Sequence, residues 1–235
     1  DCELSRGLGD VYKRQIWERV LSDNPAPQDY TPHADDIGLR ALRHLSQDYL
    51  LAANPAAHLD AAHSLYERAD SLTDRLAALR WITHHETVEK REAVLADFYS
   101  RWQHEALVVN QWLTVQATRP EVDCVDSVRA LMTHPAFDWR NPNKLRALIG
   151  AFAGANPIAF HREDGAGYRL MGEVVERLQA SNPQVAARML APMTRWRRYA
   201  VGQEAMRGEL ERLAAIDPLP KDVFEVVTKA LGEPS

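Results

Sequence analysis

From Asp35 onward the apolar residues return every three or four positions, and no convincing period-two alternation appears. That spacing restricts the chain to amphipathic helices, each burying one face. Leu39, Leu42, Leu45, Tyr49 and Leu50 mark a first helix after a loop from Ser22 to His33 that holds Pro25, Pro27 and Pro32. Leu76, Leu79 and Ile82 form the inner face of a helix opened by Thr73, and Val94, Leu95, Phe98 and Trp102 do the same between Glu89 and Gln103. The pattern continues over Leu107 to Gln116, Val125 to Met132, Lys144 to Phe152, Tyr168 to Leu178, Pro183 to Trp196, Gln203 to Leu213 and Val223 to Leu231. About eleven short helices with short, turn-rich connections predict an all-α fold. The simplest arrangement is an irregular superhelical solenoid of antiparallel helix pairs, of the ARM/HEAT kind.

Asn-Pro pairs punctuate the series at Asn54-Pro55, Asn141-Pro142 and Asn182-Pro183. An Asn can cap free backbone donors while Pro supplies a prearranged first helical residue, so each pair predicts a helix start. Residues 1–15 are set apart. Asp10-Val11-Tyr12-Lys13-Arg14-Gln15 resembles a translated sequencing adaptor, so this stretch is expected to be an artefact or a disordered tail. Residues 16–235 are then one partial domain of a protein that extends upstream.

Bulk properties exclude more than they select. A net charge of −5 offers no basic field for nucleic acid or an anionic membrane, and no apolar run approaches the roughly 20 residues that span a bilayer. The two cysteines, Cys2 and Cys124, have no metal-type spacing, which makes the cytoplasm the expected compartment. His84-His85-Glu86 and His104-Glu105 begin like a zinc-peptidase helix. The fourth position, however, is Glu89 in one and Val108 in the other, so neither places two imidazoles on one helix face. Cys124 sits beside Asp123 and Asp126, which oppose thiolate formation, and reads as a packing residue. Gln184 and Arg188, four apart, share a helix face. Near a helix N-terminus an arginine gains nothing from the dipole, which leaves either a partner such as a carboxylate or plain solvation, the commoner case. Arg195-Trp196-Arg197-Arg198-Tyr199 is basic and aromatic, but on a helix its charges spread around the circumference.

Asn141-Pro142-Asn143-Lys144-Leu145-Arg146-Ala147-Leu148-Ile149-Gly150-Ala151-Phe152 closely resembles a stretch near the C-terminus of the bacterial aminopeptidase N family. Asp164-Gly165-Ala166-Gly167-Tyr168, Asn182-Pro183-Gln184-Val185-Ala186-Ala187-Arg188 and Arg195-Trp196-Arg197-Arg198-Tyr199 extend the likeness in the same order, and Leu72 to Leu79 and Pro135-Ala136-Phe137 also look familial. The resemblance implies a gluzincin zinc aminopeptidase that removes N-terminal residues from peptides, with zinc held in a catalytic domain whose H-E-x-x-H and G-A-M-E-N motifs do not occur here. It implies that this chain is the helical domain covering the active site, inactive and zinc-free by itself. Arg146, Gln184 and Arg188 match positions that line the substrate channel in that family, facing peptide substrates; neither nucleic acid nor membrane is expected as a partner. A stand-alone helical-repeat interaction module is the alternative reading.

Overall fold

A computed structural model describes residues 14–26 and 30–232. Most of the stretch set aside at 1–15, and part of the proline-rich loop including Pro27, lie outside the described residues. Arg14 and Gln15 lie in a helix over 14–23 (α1), which the periodicity reading, starting at Asp35, does not contain. Among the described residues every regular element is helical. The chain divides between Ser100 and Arg101 into two compact units.

In the first unit α1 is followed by α2 (Ala34–Ala53), α3 (Pro55–Arg68), α4 (Leu72–His85) and α5 (Val88–Trp102), the last two residues of which belong to the second unit. Helix α3 packs on both α2 and α4, and α2 also meets α4. Leu50, Leu51, Ala62, Ala78, Leu79, Ile82 and Phe98 form the core. Tyr66 Oη ties α3 to α5 by donating to Asp97 Oδ2 at 2.8 Å. Ser71, rather than Thr73, caps α4: its Oγ accepts from the Asp74 N–H at 3.1 Å. Pro55 does open α3, but the Asn54 side chain caps nothing.

Helix α2 departs most from the periodicity reading. Leu42, Leu45 and Tyr49 are exposed, while Arg40, Ser46 and Gln47 are buried beside Leu50 and Leu51. The polar groups find partners locally: Ser46 Oγ donates to Leu42 O at 2.8 Å and an Arg40 Nη to Thr31 O at 2.9 Å. Tyr49 stacks flat on Trp17 of α1, ring centroids 4.7 Å apart.

In the second unit α6 (Ala106–Ala117) and α7 (Cys124–Leu131) precede a composite element. The helix expected over Lys144 to Phe152 is α8 (Pro142–Leu145), a π-helical turn (Arg146–Gly150) and α9 (Ala151–Ala155). Then come α10 (Pro157–Phe160), α11 (Ala166–Gln179), α12 (Pro183–Met189), a 3₁₀ turn (Trp196–Arg198), α13 (Gln203–Ala214) and α14 (Lys221–Leu231). Helix α11 packs on α12 and α13, and α14 on both α12 and α13. Asn141 and Asn182 cap as expected, accepting from Asn143 N at 2.9 Å and Val185 N at 3.2 Å. A third Asn-Pro pair works the same way at Asn156, which accepts from Ala159 N at 3.1 Å.

Around Tyr168, fully buried, the rings of Phe160 and His161 stand edge-on and Phe152 stands edge-on to Phe160. His161 Nδ1 lies 2.8 Å from Tyr168 Oη, so the buried hydroxyl is satisfied. Gly167 permits this packing: a Cβ there would sit 2.7 Å from Phe160 Cα and closer still to its carbonyl oxygen.

Candidate substrate-facing groove

Helix α12 ends at Met189, well short of the Trp196 expected from periodicity. Pro192 is the cause: it disfavours helical backbone at Ala191 and has no N–H to donate to Arg188 O. The chain continues in tight turns, with Ala191 N bonded to Arg188 O at 3.2 Å and Met193 N to Leu190 O at 2.9 Å. Arg188 therefore lies in the last turn of a seven-residue helix, not near its start. The carbonyl end of the dipole favours a cation there, which reverses the sequence-based argument.

Gln184 and Arg188 are both exposed on α12 and face α14 across one groove. Asp222, Glu225 and Val226 form the opposite wall, in a cavity of about 350 Å³. It adjoins a larger cavity of about 550 Å³ that shares Ala187, Arg188 and Val226 and runs on past Ala191, Thr194 and Lys229. Arg188 thus stands where a polar pocket passes into a mainly small-residue and aliphatic one. Glu225 lies 3.6 Å from Lys221 Nζ, and no ion pair joins Arg188 to a carboxylate among the described residues. Its five N–H donors can meet a planar anion.

Arg146 lines neither cavity. It is exposed at the start of the π-helical turn, where its guanidinium donates to Asn143 Oδ1 at 3.2 Å. The structure thus brings together two of the three residues singled out by sequence. Beside Arg146, Lys144 was not singled out: it is 8% exposed, and burial pushes its ammonium down from the ordinary lysine range.

The other sequence candidates have structural occupations. Arg197 donates to Ala230 O at 2.7 Å, Leu231 O at 2.9 Å and Gly232 O at 2.6 Å, closing the end of α14. Trp196 Nε1 also donates to Ala230 O, at 3.0 Å. Cys124 is buried, its Sγ 3.3 Å from Gln116 O, and burial, helped by Asp123, pushes its thiol up to about 11. Burial alone would raise the Glu86 carboxyl, but Lys90 at 2.8 Å and the Thr87 N–H at 2.7 Å outweigh it and hold the group low. Among the described residues no group of three or more His, Cys, Asp or Glu side chains is arranged to hold a metal. No helix among the described residues is long and apolar enough to cross a membrane.

Comparison with known proteins gives a consistent picture. The family model described as "Domain of unknown function (DUF3458_C) ARM repeats" matches residues 2–232, and so runs through the stretch set aside at the start. Aminopeptidase N of Haemophilus influenzae is 44% identical over 98% of this chain, and that of Escherichia coli 38% identical over 98%. Aminopeptidase N of Caulobacter vibrioides is 36% identical over 96%. The chain spans only 26%, 27% and 26% of these relatives. A crystal structure of Legionella pneumophila aminopeptidase A in complex with aspartic acid superposes with a TM-score of 0.82 at 26% identity, covering 98% of this chain and 29% of that one. The chain belongs to this family of ARM-repeat domains, the C-terminal helical domain of the aminopeptidase N family.

Proposed function

We propose that this chain is the closing helical part of a zinc aminopeptidase, where it covers the active site and lines the path by which peptides reach it. The observation that carries this reading is the match over nearly the whole chain to a quarter of each aminopeptidase N relative. In this reading the catalytic zinc is held by residues outside this chain and supplies the Lewis acid for peptide hydrolysis. This chain's residues bind and orient. Arg188 offers its fork of donors to the peptide's C-terminal carboxylate, as guanidinium groups do in bidentate pairs. Gln184, one turn away, can donate or accept along the peptide backbone. The small side chains at Ala187 and Ala191 leave room for the rest of the peptide in the adjoining cavity. Arg146, separate from the groove, is a second point of contact along the same path. We place the protein in the cytoplasm, in keeping with a buried thiol at Cys124.

The reading is tested on the purified chain and on its gene. The chain alone should not hydrolyse alanine or arginine anilides with or without added zinc, and an in-frame zinc-peptidase sequence should precede it. Zinc-dependent turnover by this chain would overturn the assignment. A start codon near Ile16 would favour a stand-alone interaction module instead.

A further inference from the structure

A third cavity, of about 510 Å³, lies wholly within the first unit. Its size is within the roughly 300–1,000 Å³ typical of small-molecule sites. On α2 it is lined by Arg40, Arg43, His44 and Gln47, at helical spacing i, i+3, i+4 and i+7. An amphipathic helix ordinarily turns its apolar stripe inward at that spacing. Here the polar stripe faces in, and Leu42, Leu45 and Tyr49 are left exposed. Asp60 and Arg68 of α3 and Asp70 after it complete the charged lining, together with Asp74 of α4.

Burying such a stripe costs free energy unless the groups are paired or a ligand pairs them. Part of it is paired within the fold. Asp74 accepts from Ser71 Oγ at 2.8 Å and lies 2.7 Å from His44 Nε2, and the His44 ring stands edge-on to Trp81. The guanidinium groups are satisfied only in part. Arg40, 7% exposed, donates to Thr31 O and lies 4.6 Å from the centre of the Tyr30 ring. Arg43 donates to the carbonyls of Leu21 and Asn24, and Arg68 to that of Ser64 at 3.2 Å. Their bonds go to neutral carbonyl oxygens, and among the described residues none of the three forms an ion pair with a carboxylate. Burial lowers the Arg43 guanidinium, with Asp74 opposing.

We propose that this cavity binds a small zwitterion, an α-amino acid or short peptide, with its carboxylate on Arg40, Arg43 and Arg68 and its ammonium on Asp60 and Asp70. The lining sets three arginines against three aspartates, so a polyanion would meet repulsion that a zwitterion of no net charge does not. Each end of the zwitterion replaces water with a charge-assisted bond in a site already half desolvated. The proposal does not rest on the aminopeptidase reading: it concerns other residues, and its test measures binding rather than turnover.

The test is calorimetric titration of the 235-residue chain with triglycine, with triglycine amide and N-acetyl-triglycine as probes lacking one charge each, and with sulfate. Triglycine should give a saturable heat, and both capped peptides should bind at least about tenfold more weakly, the loss expected for one charged hydrogen bond. Arg40→Lys and Arg68→Ala should each weaken triglycine by about tenfold while keeping a cooperative melt. If Arg40→Lys does not fold, the exposed Arg68 decides the matter alone. Equal affinity for the capped peptides, tighter binding of sulfate than of triglycine, or no saturable heat would overturn the proposal.

Discussion

At Asn156 a single buried amide holds three backbone groups. It is 2% exposed; its Nδ2 donates to Ala117 O at 3.0 Å and Arg119 O at 2.7 Å, while its Oδ1 accepts from Ala159 N. Removing it leaves the Ala159 N–H uncapped and takes one donor from each carbonyl, although Arg119 O still accepts from Glu121 N at 2.8 Å and Cys124 Sγ lies 3.5 Å from Ala117 O. Asn156→Ala should therefore cost about 1–3 kcal/mol. Urea unfolding would check this, and a loss below about 0.5 kcal/mol would show that water replaces the amide without penalty. Gly167 is the steric counterpart. The atoms that a Cβ would meet are backbone atoms of Phe160, which cannot swing aside as a side chain could. Gly167→Ala should therefore destabilise by about 1–3 kcal/mol and loosen the packing of Phe160 against Tyr168, visible in the near-ultraviolet circular dichroism. An unchanged melt and spectrum would mean that the two segments separate freely. Asn156-Pro157 has the same form as the pairs at 54, 141 and 182 but was not among the helix starts read from the sequence. Its two long-range bonds carried no sequence signal at all, because nothing local to residue 156 shows that the carbonyls of Ala117 and Arg119 lie within its reach.

Helix ends and helix faces differed in how far sequence could read them. Caps are local chemistry, so the Asn-Pro pairs at 141 and 182 announced their helices correctly, and Pro192 carried a stop signal for α12 that apolar periodicity masked. The consequence reaches the candidate groove: Gln184 and Arg188 share a face, as their spacing says, but on a shorter helix, with Gln184 in its first turn and Arg188 in its last. On α2 the apolar residues marked the helix but not which side it buries, because periodicity identifies an apolar stripe without saying what the opposite stripe touches. The spacing of Arg40, Arg43, His44 and Gln47 was the available signal. At the other end of the chain, Arg197 turns a basic cluster into a C-terminal cap. Arg197→Ala should cost about 0.5–1.5 kcal/mol, since the arginine is exposed and water can replace part of its bonding. The loss should appear as faster amide exchange in the last turn of α14 relative to α11, and equal exchange in both variants would remove the capping role.

Across the molecule, burial lowers the proton affinity of three imidazoles: His85, His134 and His161. Above about pH 6.5 both folded and unfolded chains carry them neutral. As pH falls through 6.5 the unfolded chain takes up protons first, so stability declines until the lower folded-state values are passed. The melting temperature should fall between pH 7.5 and 5.5, and His161→Gln should reduce that slope while leaving a polar partner for Tyr168 Oη. A slope untouched by the substitution would assign the effect to other groups. The all-helical class and repeat character were legible because periodicity is spread over the whole chain. The division at residue 100 was not, because it depends on which helices meet in space. The most direct test of the account is steady-state kinetics of the proposed longer enzyme with Arg188→Ala, comparing tripeptides that end in a free carboxylate with the same peptides as amides. The account predicts a fall in kcat/KM of about tenfold for the free acids and little change for the amides. Equal falls for both would show that Arg188 only supports the fold of the groove and does not touch substrate.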